Sequence, residues 1–82
     1  MFGLFGKRGF DAEMAELEKR HKLIAAQMLT AMERFDLNGQ MKLMESMLSL
    51  YDQQIDCCKK YGKLDAIARL EGQRQKLQQL HG

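Results

Sequence analysis

The feature that most restricts how this chain can fold is a heptad seam between residues 10 and 35 that is apolar except for one histidine. Its members recur at alternating spacings of four and three residues, the repeat expected of one face of an α-helix. They are Phe10, Met14, Leu17, His21, Ile24, Met28, Ala31 and Phe35. The chain has no proline to interrupt the pattern. We therefore predict a long first helix over about residues 11–36, ended by the left-handed residue that Asn38-Gly39 supplies.

A second helix is predicted over about residues 40–61, and it has two apolar stripes instead of one. The first stripe consists of Met41, Met44, Leu48, Tyr51, Ile55 and Cys58. The second consists of Leu43, Met47, Leu50, Cys57 and Tyr61, and is interrupted by Gln54. Two stripes on one helix require two neighbours. This helix should lie in the middle, packed against both others or against one of them and a second copy of the chain.

A third, less apolar helix is predicted over about residues 63–80, after a stop at Gly62. Its large apolar residues are Leu64, Ile67, Leu70, Leu77 and Leu80, with Arg74 interrupting the line. Both connections are short, so consecutive helices should be antiparallel. β-Branched residues, which favour strands, are nearly missing from the chain. The predicted fold is all-α: a small antiparallel helical bundle or hairpin of two long helices plus a shorter third helix.

Residues 1–9 are predicted to be a flexible apolar and basic segment that precedes a single helical domain over residues 10–82. Three glycines break this segment, and its basic residues follow its apolar ones, unlike a secretory signal or a membrane span. Leaving Phe2, Leu4 and Phe5 in water would be unfavourable. We expect them either to insert as anchors into a pocket on a partner protein or to fold back over the bundle; a peripheral membrane contact is the weaker alternative.

The residues that could support chemistry do not form a recognisable catalytic or metal site. Cys57, Cys58, His21 and His81 are the ligand types of a zinc site, but adjacent cysteines in a helix point about 100° apart and are poorly placed for one ion or for a disulfide. We interpret Cys58 as a core residue, Cys57 as partly exposed and His21 as a structural residue. The expectation is a reduced, cytoplasmic protein that is not an enzyme and needs no metal or cofactor.

The length of the chain favours self-association. A chain of 82 residues buries a modest share of its surface, and the first helix should overhang the third. We therefore expect a homodimer rather than a monomer. The predicted self-association seam is Met14, Leu17, His21, Ile24 and Met28.

For function, the sequence favours a protein-protein interaction module: a small adaptor, regulator or inhibitor that binds and occludes a site on a larger protein. Arg69, Arg74 and Lys76 on the last helix are predicted to form a polar rim beside the apolar anchors. One alternative is a nucleic-acid-associated accessory protein that uses the basic last helix together with Lys59, Lys60 and Lys63, although a net charge of +2 does not suggest it. Another is a purely structural homo-oligomer. The pattern is compatible with small bacterial or phage-encoded accessory proteins that act by blocking a target.

Overall fold

The computed structural model describes the backbone of residues 2–81 and the side chains of residues 9–80. Its three helices are α1 (Phe2–Glu33), α2 (Leu37–Lys60) and α3 (Leu64–His81). α1 packs against α2 and α2 packs against α3, whereas no Cα atoms of α1 and α3 come within 8 Å of each other in the described backbone. The predicted all-α antiparallel architecture is confirmed, and so is the central position of the second helix.

The three helices form a flat layer rather than a closed bundle. The molecule measures 49 × 24 × 13 Å, and its radius of gyration is 14.7 Å. A compact chain of this length would have a radius of gyration of about 12 Å. The longest dimension matches α1, which at 1.5 Å per residue is roughly 48 Å long, against roughly 36 Å for α2 and 27 Å for α3. Because α1 and α3 do not meet, α2 is shielded on two sides only.

The first helix begins at Phe2, so residues 2–9, predicted to be a flexible segment ahead of the helical domain, continue α1 in the described backbone. A glycine in a helix costs about 1 kcal/mol relative to alanine but does not stop the helix as proline would. Gly9 has a packing role, since a Cβ atom there would lie 2.6 Å from the Tyr61 hydroxyl oxygen and 3.2 Å from its ring. Glycine at this position allows α1 to approach the end of α2 closely.

The predicted helix stop at Gly62 is confirmed. Gly62 adopts a left-handed conformation, with φ of 70°. The Lys63 N–H donates to the Cys58 carbonyl at 2.8 Å, and the Gly62 N–H donates to the Lys59 carbonyl at 3.3 Å. This pair of bonds is the Schellman motif, which satisfies carbonyl groups that the end of a helix leaves unpaired.

The end of α1 has the same motif, but the left-handed residue is Phe35, with φ of 56°. The Asp36 N–H donates to the Ala31 carbonyl at 2.9 Å, and the Phe35 N–H donates to the Met32 carbonyl at 3.1 Å. The prediction that Asn38-Gly39 ends the first helix is therefore wrong. The reason is that the Asp36 side chain caps α2 by accepting from the Gly39 N–H at 2.9 Å, so α2 begins at Leu37.

The core consists of two small clusters, one on each side of α2. Leu17, Leu50 and Cys57 pack between α1 and α2, joined by the partly buried Met14 and Ile24. Ile55, Cys58 and Leu70 pack between α2 and α3. The stripe with Leu50 and Cys57 therefore packs against α1, whereas the stripe with Ile55 and Cys58 packs against α3 and, through Phe10 and Met14, also against α1.

Candidate functional site

Eight large apolar side chains of the described residues are exposed on this layer, and four of them lie around the turn between α1 and α2. Among the described residues, those more than half exposed are Leu23, Leu29, Met32, Phe35, Leu37, Met41, Leu64 and Leu80. We call the set Met32, Phe35, Leu37 and Met41 the tip. These four lie within ten residues of one another along the chain, in the turn and the helical turns on either side of it.

Phe35 is the most unusual residue of the tip. Its side chain is 86% exposed, and its backbone is left-handed. The left-handed conformation costs a residue with a Cβ atom roughly 1–2 kcal/mol, and it is rare for a bulky residue. The equivalent position at the end of α2 is Gly62, which avoids that cost. In the isolated chain, both the backbone and the ring of Phe35 are therefore in unfavourable settings.

The rest of the tip suits an adaptable contact. Leu37 is 71% exposed in the first turn of α2, and Met32 and Met41 lie one turn away on each helix. Methionine side chains are flexible and polarizable, so they adapt to the shape of an apolar partner. Sequence reasoning assigned Phe35 to the core seam and missed the tip. The signal that identifies it is Asp36, an N-cap residue whose helix leaves Phe35 in the turn.

The predicted apolar anchors belong to the first turns of α1, at the opposite end of that helix from the tip. The side chains of residues 2–8, which include Phe2, Leu4 and Phe5, lie outside the described residues. Their role as anchors stays a prediction.

The predicted polar rim is only partly available to a partner. The Arg74 Nε donates to the Asp52 carboxylate at 2.6 Å, and its Nη1 donates to the Gln78 side-chain oxygen at 2.9 Å. Arg74 is thus half-buried and ties α3 to α2, which explains a basic residue within the apolar line. Arg69 and Lys76 are exposed.

The predicted self-association seam lies against α2 of the same chain. Leu17 is buried, Met14 and Ile24 pack beside it, and Met28 is half-buried. The ring of His21 meets the ring of Tyr51 edge to face, with centroids 5.3 Å apart. This is the structural role expected for His21, and it leaves little of the seam for a second copy.

A polar cluster joins α1 to the end of α2. The Glu13 carboxylate accepts from the Lys60 Nζ at 3.0 Å and from the Cys57 thiol at 3.3 Å. The Lys60 hydrogen bond, followed by the Cys57 one, holds the pKa of Glu13 below its ordinary value. Burial, with the hydrogen bond to Glu13, raises the pKa of Cys57 to about 11. The cysteine expected to be partly exposed is in fact buried, and its thiol stays protonated at neutral pH.

A groove of about 660 Å³ lies between α1 and α3 above α2. Its walls include Phe10, Met14 and Leu70. Gln54, the residue that interrupts the second stripe of α2, lies at its floor and is only 3% exposed. The Gln54 Oε1 atom is buried without a hydrogen-bond donor among the described residues. We call this feature the α1–α3 groove.

The edges of the α1–α3 groove carry opposite charges. On the α1 side are the carboxylates of Asp11 and Glu18. On the α3 side are Lys63 and Arg69, and the Lys63 Nζ lies 5.1 Å from the centroid of the Phe10 ring. Asp65 also lines this side, in the first turn of α3, where a carboxylate interacts favourably with the helix dipole.

Within the described residues, no three His, Cys, Asp or Glu side chains converge as they would to hold a metal ion. None of the described helices is long and apolar enough to cross a bilayer.

The most distinctive surfaces of the described residues are the tip and the α1–α3 groove. Comparison of the chain with protein-family models, with curated proteins and with solved structures found no significant match.

Proposed function

We propose that this chain is a non-enzymatic protein-protein interaction module that binds a larger protein through the tip. The observation behind the proposal is Phe35, an exposed aromatic residue in a left-handed backbone conformation. Strained residues with exposed apolar side chains persist when a function requires them. An aromatic side chain that enters a pocket on a partner is the usual form of a binding hot spot.

The composition of the tip favours a protein over a nucleic acid as partner. All four tip side chains are uncharged, whereas nucleic-acid affinity comes mainly from contacts between basic residues and phosphates. Two of the basic residues that such binding would use are occupied within the chain, because Lys60 pairs with Glu13 and Arg74 pairs with Asp52. The nucleic-acid alternative has no observation in its favour.

The shape of the molecule supports an adaptor, regulator or inhibitor that occludes a site. The tip lies at one end of a layer that is 49 Å long, so a partner that binds the tip would have the rest of the layer projecting from its surface. That projection would block access to neighbouring parts of the partner. Buried thiols without a disulfide suit a reducing compartment, and we place the protein in the cytoplasm.

Affinity capture from a lysate of the source organism tests this proposal when wild type is compared with Phe35→Gly. Glycine removes the ring and also relieves the backbone strain, so a loss of binding cannot come from unfolding. Leu23→Ser is the matched control, since Leu23 is a 60% exposed leucine on α1 beside Glu16 and Lys19, away from the tip. We expect wild type and Leu23→Ser to retain the same protein in stoichiometric amount, and Phe35→Gly to lose it.

A third variant separates the tip from the predicted N-terminal anchors. If the change of Phe2, Leu4 and Phe5 to serine abolishes capture while Phe35→Gly does not, the N-terminal segment and not the tip is the docking surface. If wild type captures nothing, a protein partner is contradicted. The purely structural alternative then predicts a large assembly whose size does not change with concentration.

A further inference from the structure

The α1–α3 groove is a second unpartnered surface, distinct from the tip. It arises because α1 and α3 pack on different sides of α2, and no Cα atoms of the two helices come within 8 Å of each other in the described backbone. By helical register, the exposed Leu29 lies on the same side of α1 as Glu18, eleven residues or about three turns earlier. On α3, the exposed Leu80 likewise lies on the same side of the helix as Arg69, which precedes it by eleven residues. The face that contains the groove therefore has charged groups near one end and exposed leucines near the other.

We propose that a second copy of this chain covers the α1–α3 groove, with the two-fold axis parallel to α2. Rotation about that axis places the α1 edge of each copy against the α3 edge of the other. It does not change the position of a residue along the direction of the helices. Glu18 then meets the second copy's Arg69, and the contact occurs twice because the interface is isologous. Neither Glu18 nor Arg69 forms an ion pair with another described residue.

The charge pattern favours a second copy over an unrelated partner. An isologous interface must be complementary to itself. One edge of the groove is acidic, with Asp11 and Glu18, and the other has a net positive charge, since Lys63 and Arg69 outnumber Asp65. Two such edges on either side of one groove satisfy that condition. The same rotation brings Leu29 of one copy toward Leu80 of the other, so the exposed leucines are covered as well.

The available area is sufficient for a stable pair. The face is 24 Å wide, and the part flanked by all three helices is as long as α3, roughly 27 Å. That gives roughly 650 Å² for each copy, close to the ~800 Å² per partner of a standard interface. The pairing does not depend on the tip. In the pair, both tips lie at the same end, since the axis runs along the helices.

Sedimentation velocity at about 1–100 µM tests the pairing with charge-reversal variants. We expect wild type to sediment at 19 kDa, twice the 9.5 kDa of one chain. Glu18→Lys and Arg69→Glu alone should each raise the dissociation constant at least tenfold, which is about 1.4 kcal/mol. An equimolar mixture of the two variants should restore a dimer, because in the mixed pair a basic side chain meets an acidic one at both contacts between positions 18 and 69. Lys19→Glu, a charge reversal on the adjacent residue that points away from the groove, should leave the dimer unchanged.

Several outcomes overturn the proposal. A wild-type chain that stays monomeric means that something other than a second copy covers the groove. If Glu18→Lys dissociates no more than Lys19→Glu, or if the mixture stays monomeric, the two edges do not meet. Circular dichroism of each variant shows whether it remains helical. If Glu18 and Arg69 instead paired within one chain, each charge reversal would lower the thermal stability of its own variant. Mixing the two variants would then restore neither stability nor a dimer.

Discussion

Replacement of Phe35 by glycine should stabilise the protein, although it removes a large apolar side chain. Phe35 is left-handed and 86% exposed, so the ring contributes little to the core while the backbone bears a cost of about 1–2 kcal/mol. Glycine removes that cost but gives the unfolded chain more freedom, a loss of roughly 0.4–1 kcal/mol. The net gain in the free energy of unfolding is about 0–1.6 kcal/mol, and its midpoint of about 0.8 kcal/mol corresponds to a rise in Tm of about 3–6 °C for a domain of this size.

Phe35→Ala separates the backbone from the ring. Alanine retains the left-handed cost and removes the ring, so the free energy of unfolding should stay within about 0.5 kcal/mol of wild type. The assay is urea denaturation followed by far-UV circular dichroism, at one protein concentration because self-association shifts apparent stability. The denaturant slopes should be equal for all three proteins.

Gly62→Ala provides the reverse experiment at the equivalent position of α2. No heavy atom lies within 4 Å of a Cβ built on Gly62, so the substitution changes only the backbone cost. We expect a loss of about 0.5–1 kcal/mol. If Phe35→Gly were less stable than Phe35→Ala, the reasoning would be refuted, since the left-handed backbone would not be a cost at residue 35.

Three further predictions concern groups inside the fold. Gln54→Met should raise the free energy of unfolding by about 1–3 kcal/mol in urea denaturation, because it removes the buried Oε1 that has no donor; destabilisation would mean that this oxygen is satisfied. Gly9→Ala should lower Tm, since the added Cβ would lie 2.6 Å from the Tyr61 hydroxyl oxygen, and the cost of an overpacked site, typically about 1–3 kcal/mol, exceeds the gain of about 1 kcal/mol from replacing a helical glycine with alanine. The pKa of Glu13 is lower in the folded chain than in the unfolded chain. Its bond to Lys60 therefore stabilises the fold at pH values above the unfolded-state pKa, and this stabilisation is lost as pH falls through the folded-state pKa. Glu13→Gln should flatten that part of the pH dependence of Tm, and an unchanged profile would count against the contact.

Periodicity was sufficient to predict the helices and the central position of α2. The two stripes of α2 are distinct in sequence; in the fold one packs against α1, and the other packs mainly against α3 with Phe10 and Met14 of α1 beside it. Gly62 was also predictable, because glycine is the usual residue at a helix stop. These features depend on the local backbone preferences of the residues and on which residues are buried. Both can be inferred directly from the order and spacing of residue types.

The tip and the groove could not be predicted from the same signals. Phe35 continues the 4-3 spacing of α1, so periodicity places it in the seam, but the Asp36 cap on α2 ends the helix earlier. The sequence pattern assigns Arg74 to the polar rim because its ion-pair partner, Asp52, is distant in sequence. The groove depends on the angle between α1 and α3 around α2, which the spacing of apolar residues does not determine.

Hydrogen-deuterium exchange of the chain with and without its captured partner tests the central claim, that the tip is the docking surface. Amides near the tip, over residues 32–41, should exchange more slowly in the complex, while the turn at Gly62, at the opposite end of α2, should exchange at the same rate. Protection at residues 32–41 that Phe35→Gly abolishes would support the claim. Protection confined to the α1–α3 groove or to residues 2–9, with none at the tip, would contradict it.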